Sequence, residues 1–271
     1  KDMVYVAPES TFYVYDTGFY LPVSSLDLSR VMTTFLRENY TNLAITKRLA
    51  TELIDALPLY FPEENVLDEI GGDYLAFADK TLDLHTYTLT HHSRNKPAIF
   101  NFDFPASERN QETPLFDEYL STTFPDDPQL QEFIYTLIGS YLLPPNFIEL
   151  AFFLVGDGAN GKSVLLDTIA ALVGEHYISA FTLKSLSTSK YVIAELLSKK
   201  VNIVNEDESK FLEGEKFKAM VSGDMIQAER KYGTPFSFRM KCKFIFASND
   251  TPTFKGINHG LKRRLHIVPF N

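Results

Sequence analysis

The sequence is short of three things, and each shortage narrows what the protein can be. It has one cysteine, Cys242, in 271 residues, which excludes an internal disulfide framework and any zinc cluster built on several thiolates. An intracellular protein is the simplest expectation, with Cys242 itself read as a buried strand residue. There is no apolar run near the roughly 20 residues that cross a bilayer, and no internal repeat or low-complexity tract. Cations are also scarce: 26 Lys and Arg stand against 35 Asp and Glu, a net charge of −9. That scarcity is local. Residues 1–150 hold 9 cationic against 23 acidic side chains, whereas residues 151–271 hold 17 against 12. The asymmetry marks a domain boundary and assigns any contact with a polyanion to the second half, in a confined channel rather than by coating. The chain opens Lys-Asp-Met and stops at Val268-Pro269-Phe270-Asn271. It therefore reads as a piece of something longer, and missing signals at its ends carry no weight.

What is present is more specific. An apolar fraction of 45 % suffices for two cores. Gly156-Asp157-Gly158-Ala159-Asn160-Gly161-Lys162-Ser163 fits the phosphate-loop pattern G-x-x-x-x-G-K-[ST] without a mismatch. Residues 150–155 form a short apolar run predicted as a buried strand, and residues 164–173 are predicted as a helix. In that setting glycines let the backbone fold around phosphates, while free N–H groups and the positive helix end face the anion. Lys162 then reaches the β and γ phosphates and the Ser163 hydroxyl ligates Mg²⁺. Binding and hydrolysis of a nucleoside triphosphate, ATP with Mg²⁺, is the expectation. A chance match in a chain of this length is about one in a hundred.

Three further stretches follow. Residues 201–205 are predicted as an apolar strand that delivers Glu206, Asp207 and Glu208 at its end. One carboxylate can hold Mg²⁺ through its water shell and another can orient the attacking water. Asp207 is favoured for the metal and Glu206 for the water, with Glu208 a rival and the roles exchangeable. Residues 242–248 form a second buried strand ending at Asn249, which can contact the γ phosphate or hold the lytic water, although Asn-Asp-Thr-Pro is also good turn chemistry. Arg263-Arg264 precedes another apolar strand, and one guanidinium from a neighbouring subunit can neutralise charge on a transferring phosphoryl group. A solvated basic turn is the plainer reading, and sequence does not choose between the two arginines.

Between the acidic strand and Asn249, residues 225–243 read as a β-hairpin whose tip carries Arg230, Lys231 and Tyr232. A cation and an aromatic on a projecting tip suit a single strand of nucleic acid, as they also suit any surface hairpin. The order of elements from residue 150 predicts an α/β fold: a parallel sheet flanked by helices, with the loop, the acidic cluster and Asn249 at the carboxyl ends of strands.

The first half is less informative. Residues 1–110 are predicted as a smaller mixed α+β module, with strands at 11–15, 74–77 and 82–84 and helices near 26–38 and 44–57. His91-His92 is its one tempting pair, but adjacent residues on a strand point apart and no third ligand stands at metal spacing. Residues 97–114 read as a connecting loop, and 115–145 as two helices ending at Leu143-Pro144-Pro145, within a helical collar or linker over 111–148. The ATPase domain then runs from 149 to 271.

With these elements in this order the chain resembles the superfamily 3 helicases, in particular the primase-helicase branch of phages, plasmids, mobile islands and poxviruses. Residues carrying the likeness are the Asn160-Gly161-Lys162-Ser163 loop, Lys218 to Asp224 before the hairpin, Ser248 to Pro252, and Arg263 to Phe270. Leu82 to Thr86 and Leu137 to Leu142 add to it. The resemblance implies an AAA+ like P-loop core, a hexameric ring with ATP sites between subunits, hairpins lining the pore and 3′ to 5′ travel on single-stranded DNA. It implies that Lys162 and Ser163 serve phosphate and Mg²⁺, Glu206 and Asp207 form the acidic pair, Lys231 faces the pore, Asn249 is sensor 1, and Arg263 or Arg264 is the finger. It also implies a source in a virus or mobile element, action in the host cytoplasm and an upstream primase-polymerase domain in the longer chain. Residues 1–110 hold no polymerase acidic motif, and Glu208 is an addition to the family pattern. A helicase module acting on forked DNA is the leading expectation. A nucleotide-switched loading or assembly ATPase that does not unwind is the alternative, and a small-molecule P-loop kinase lacks any use for the hairpin and arginines.

Overall fold

The computed structural model describes residues 3–6, 9–40, 42, 44–61, 73–108, 112–143, 148–207, 212–231, 233–255 and 258–270. The chain divides into two compact units, one of Lys1–Ala76 with Lys80–Asn101 and one of Phe77–Asp79 with Phe102–Asn271. Among the described residues no helix is long and apolar enough to cross a membrane.

The first unit opens with an antiparallel sheet of β1 (Met3–Val6), β2 (Thr11–Asp16) and β3 (Phe19–Val23) in that order. Its core includes Val4, Val6, Tyr13 and Tyr20. Two helices follow, α1 (Ser25–Asn39) and α2 (Lys47–Ala56). Each is capped by a hydroxyl: Ser24 accepts from the Asp27 N–H and Thr46 from the Leu49 N–H. A meander of β4 (Tyr74–Phe77), β5 (Thr81–Asp83) and β6 (Thr88–Thr90) then pairs antiparallel, and β7 (Asn101–Phe102) is the next strand. Of the histidine pair, His92 packs its ring over Gly18, and its Nδ1 lies 2.9 Å from the Thr81 hydroxyl.

The second unit begins with α3 (Pro114–Thr123) and α4 (Pro128–Ser140). Asp127 caps the second by accepting from the Leu130 N–H, and proline stands in the first turn of both, where no amide partner is lost. The sheet follows: β8 (Ala151–Val155), α5 (Lys162–Val173), β9 (Ile178–Ser179), α6 (Leu183–Thr188), α7 (Lys190–Glu195) and β10 (Val201–Val204). The chain continues through β11 (Leu212–Glu213), α8 (Gly214–Val221), β12 (Met225–Glu229), β13 (Pro235–Arg239) and β14 (Lys243–Ser248). It closes with β15 (Phe254–Lys255), α9 (His259–Lys262) and β16 (Leu265–Pro269).

Five strands form one sheet in the order β16-β8-β14-β10-β9, every pairing parallel. The predicted class therefore holds: a parallel α/β sheet flanked by helices, with a smaller mixed domain before it. A parallel sheet is covered on both faces, which is why β8 reads Ala-Phe-Phe-Leu-Val with every residue but the last buried. Alternation sends Ala151 and Phe153 to one face, where Phe153 stacks on Phe246 at 5.3 Å and meets Phe217 of α8 at 6.3 Å. Phe152 takes the other face and meets Phe133 and Tyr141 at 6.2 and 6.1 Å. Truncating a ring such as Phe217 would cost about 3–5 kcal/mol in transfer and cavity terms. The two-residue β9 and the six-residue α6 are too short for a periodic signal, and sequence reasoning missed both.

Candidate nucleotide site

The loop between β8 and α5 lies where parallel sheets place ligands, beyond the carboxyl ends of their strands. The Gly156 N–H donates to the Ser248 carbonyl at 3.3 Å. A Cβ on Gly156 would fall 1.7 Å from the Phe270 carbonyl oxygen, so only glycine fits there. The same oxygen accepts from Asn160 Nδ2 at 2.7 Å, tying the loop to the residue after β16. Ala159 (φ 61) and Gly161 (φ 93) both take left-handed backbone and curl the chain back on itself. Lys162 is 7 % exposed, and its Nζ donates to the carbonyls of Gly156 and Asp157 at 2.6 and 2.8 Å and to Asn160 Oδ1 at 2.9 Å. Helix α5 starts from Gly161 with no side-chain cap. Its first N–H groups are therefore not consumed by a neighbouring hydroxyl or carboxylate, as an anion-binding helix end requires. Around Gly158 a Cβ would meet nothing within 4 Å, leaving that side of the loop open.

Strand β10 brings its end to the same place. Asn205 Nδ2 donates to the Ser163 hydroxyl at 3.0 Å, a contact that sequence reasoning missed because it looked only for carboxylates. Glu206 is exposed and sits at φ 67, a left-handed conformation rare outside glycine and asparagine. Asp207 points elsewhere. It is 6 % exposed, its Oδ2 accepts from the Leu183 N–H at 2.7 Å at the start of α6, and its own N–H donates to the Ala247 carbonyl at 2.8 Å. The sheet thus brings Asn205 and Ser163 together and turns Asp207 inward, while Glu208 lies outside the described residues. Asn249 follows β14 directly and is exposed, and pairing of Ser248 with Val155 sets it beside the entrance to the loop.

The arginines lie at the other end of the sheet. Leu265 pairs with Ala151, and the Ala151 N–H donates to the Arg264 carbonyl at 2.8 Å. The length of β8, roughly 15 Å at about 3.3 Å per residue, therefore separates them from the loop of their own chain. Arg264 is 6 % exposed, with one guanidinium nitrogen on Glu149 Oε2 at 2.6 Å and the other on the Gly260 carbonyl at 2.9 Å. Arg263 is exposed. The hairpin β12–β13 buries Ile226, Ala228, Phe236 and Phe238 in the core, so its root is fixed. At its turn the Arg230 guanidinium stacks over Phe236 at 4.4 Å and Lys231 is exposed. Tyr232 lies outside the described residues.

Under the sheet, at the strand ends away from the loop, two lysines are buried. Lys200 lies 5.5 Å from the Phe102 ring, and burial together with the nearby Lys243 holds its ammonium well below the usual range. Lys243 donates to the Ser140 carbonyl at the end of α4, and burial pulls its pKa down to about 7. Cys242 is buried beside them, and burial pushes its thiol up, which suits an inert core residue.

The Ser163 hydroxyl at the uncapped start of α5 is a donor whose chemistry fits Mg²⁺ bound together with a triphosphate. Among the described residues no group of three or more His, Cys, Asp or Glu is placed to hold an ion. Ser163 is exposed there, and its hydroxyl oxygen is open to such an ion. Residues 154–264 match the model of a family of unknown function, DUF5906. The match runs from β8 to the second arginine and so takes in the loop, Asn205, the hairpin, Asn249 and Arg263. A candidate helicase of Acanthamoeba polyphaga mimivirus is 33 % identical over 152 residues, which is 53 % of this chain and 16 % of that protein. Two apo structures of the NrS-1 C-terminal region match the whole chain with TM-scores of 0.56 and 0.57, at 15 % identity and over 58 % of their own length. In sequence the chain is similar to a viral helicase-like protein, and in fold to the NrS-1 region, and it spans less than two thirds of each.

Proposed function

We infer that this chain is the ATPase module of a ring-forming DNA helicase of the superfamily 3 type, which hydrolyses ATP to move along single-stranded DNA. The observation that carries this reading is the meeting of Ser163 and Asn205 at 3.0 Å. It joins a matched phosphate loop to the end of a second buried strand, where phosphoryl chemistry needs its polar groups. The mimivirus likeness supports the same reading.

On this reading Lys162 exchanges its loop acceptors for phosphate oxygens, which place a full negative charge where three neutral acceptors stand. Ser163 is the residue suited to hold Mg²⁺, which when bound offsets negative charge on the phosphates. Glu206, exposed beside Asn205, orients the attacking water and takes its proton, and Asn249 holds that water from the neighbouring strand end. Asp207 is given neither part, because its Oδ2 accepts from the Leu183 N–H at the start of α6. Arg263 serves a neighbouring subunit, since its own loop lies across the length of β8. Each closure of a subunit interface moves the β12–β13 hairpin, with Lys231 carried along the phosphate backbone. A hexamer, an upstream primase-polymerase domain and a home in a phage or other mobile element belong to the same reading.

The test is ATP turnover with and without single-stranded DNA, together with mass in solution on a nonhydrolysable ATP analogue and unwinding of a forked duplex. DNA-stimulated turnover, a six-subunit species and unwinding that Lys162→Ala abolishes are expected. Undiminished unwinding by Lys162→Ala would overturn the assignment. Basal turnover that never separates strands would point instead to a loading or assembly ATPase.

A further inference from the structure

Helix α3 precedes the nucleotide loop by some forty residues of chain, yet it touches the loop at its far end. Tyr119 is partly buried, and its hydroxyl donates to the Gly161 carbonyl at 2.9 Å. The Thr123 side chain, one turn further along α3, hydrogen-bonds the same phenol. The ring covers the bare face of Gly161: a Cβ there would stand 2.9 Å from Tyr119 Cε2 and 3.2 Å from the Thr123 hydroxyl. The Gly161 carbonyl also accepts from the Leu165 N–H at 3.3 Å. Both of its lone pairs are thus engaged, one by its own helix and one by a phenol from another. A second tie runs through Phe124, which meets Phe270 edge-on at 5.0 Å, while the Phe270 carbonyl accepts from Asn160.

The geometry matters because of which peptide is held. The Gly161 carbonyl and the Lys162 N–H belong to one planar trans unit, in which C=O and N–H point in opposite directions. A hydroxyl that fixes the carbonyl on the α3 side fixes the N–H on the other. Gly161 sits at φ 93 and has no side chain of its own to restrain it. Beyond the Leu165 N–H of its own helix, the restraint comes from α3.

We propose that Tyr119 is a positioning residue for the nucleotide loop, its hydroxyl orienting the Gly161–Lys162 peptide so that the Lys162 N–H meets the triphosphate. The inference rests on the nucleotide reading of the site. Burial pushes the phenol to about 12, so it remains a donor at every working pH.

The test is binding of a fluorescent ATP analogue with Mg²⁺ to the full chain, comparing wild type, Tyr119→Phe and Tyr135→Phe, with turnover and thermal unfolding of each. Tyr135 is the control, an exposed tyrosine of α4 whose hydroxyl donates to Asp117. Tyr119→Phe keeps the ring and is expected to raise Kd roughly three- to ten-fold, the effect of one lost neutral hydrogen bond. Its turnover at saturating ATP should stay within about two-fold and its Tm within about 2 °C, because loop order rather than the fold has changed. Unchanged binding by Tyr119→Phe, or an equal loss in Tyr135→Phe, would overturn the positioning role and leave the nucleotide site standing. Absence of binding by wild type would overturn both.

Discussion

Arg264 and Glu149 form an ion pair at 2.6 Å that holds one of two adjacent arginines to its own fold. The Arg264 side chain is 8 % exposed and bound to its own fold, whereas Arg263, one residue earlier, stands in solvent. Removing Arg264 breaks a charge pair with one member buried. Because Glu149 is half exposed, the expected loss for Arg264→Ala is about 2 kcal/mol, below the range for fully buried pairs. Urea unfolding measures it.

Arg263→Ala should behave in the opposite way. Stability should stay within about 0.5 kcal/mol, as for other exposed positions, while DNA-stimulated turnover falls by roughly a hundred-fold or more, as loss of a trans-acting arginine does. Mixing Arg263→Ala with Lys162→Ala should restore part of the activity, because some shared sites then hold both intact residues. Mixed rings that stay silent would exclude a role for Arg263 in trans.

The two acidic residues after β10 separate by the same kind of experiment. Glu206→Gln should bind the ATP analogue as wild type does and unfold at the same temperature, yet lose turnover by about a hundred-fold or more. Asp207→Asn removes a charged acceptor from the Leu183 N–H and should cost about 1–3 kcal/mol of stability, with turnover at low temperature largely kept. The reverse pattern, a stable but inactive Asp207→Asn, would return the metal role to Asp207.

These assignments show where sequence reasoning stopped. The loop, the sheet strands β8, β10 and β14 and helix α5 were legible because local pattern dictates them: an apolar run, a glycine-rich turn, another apolar run. Arg264 was not separable from Arg263, since its burial depends on Glu149, 115 residues earlier in the chain. Asp207 was the metal candidate in the sequence, and a carboxylate after a strand carries no sign of which way it turns. Its partner, the Leu183 N–H, begins a helix too short to be predicted. Asn205 was in view and passed over for its charged neighbours. Tyr119 gave no signal at all, because a tyrosine on an amphipathic helix is ordinary until the fold sets it against Gly161.

The hairpin makes a prediction about salt. Lys231 is exposed at the turn while the β12–β13 root is buried, so Lys231→Ala should leave the fold and DNA-independent turnover intact. Affinity for single-stranded DNA should fall, and the slope of log affinity against log salt should shrink by about one contact's share, roughly 0.7. An unchanged salt slope would remove Lys231 from the DNA path. Arg230→Ala should also loosen the turn, because its guanidinium lies on the Phe236 ring.

Lys243 ties stability to pH. Its folded pKa is pulled to about 7 by burial, against an ordinary value of 10.5, so the unfolded chain holds this proton over a range where the folded chain has released it. Between pH 7 and 9 the unfolded state binds more protons, and stability rises with pH. Below about pH 7 both states are protonated and the contribution is flat at its lowest. The buried Lys200 acts in the same direction. Above pH 9 the Cys242 thiol, held protonated by burial, works the other way, which sets the upper edge of the window. Unfolding free energy from urea titrations should therefore climb from pH 7 to 9, with Lys243 supplying up to about 1.4 kcal/mol per pH unit. Lys243→Met removes the ionisable group with a side chain one atom shorter, and loses the bond to the Ser140 carbonyl. Its curve should be displaced and visibly flatter. A parallel displacement with the same slope would mean that the Lys243 ammonium stays charged in the folded protein across this range.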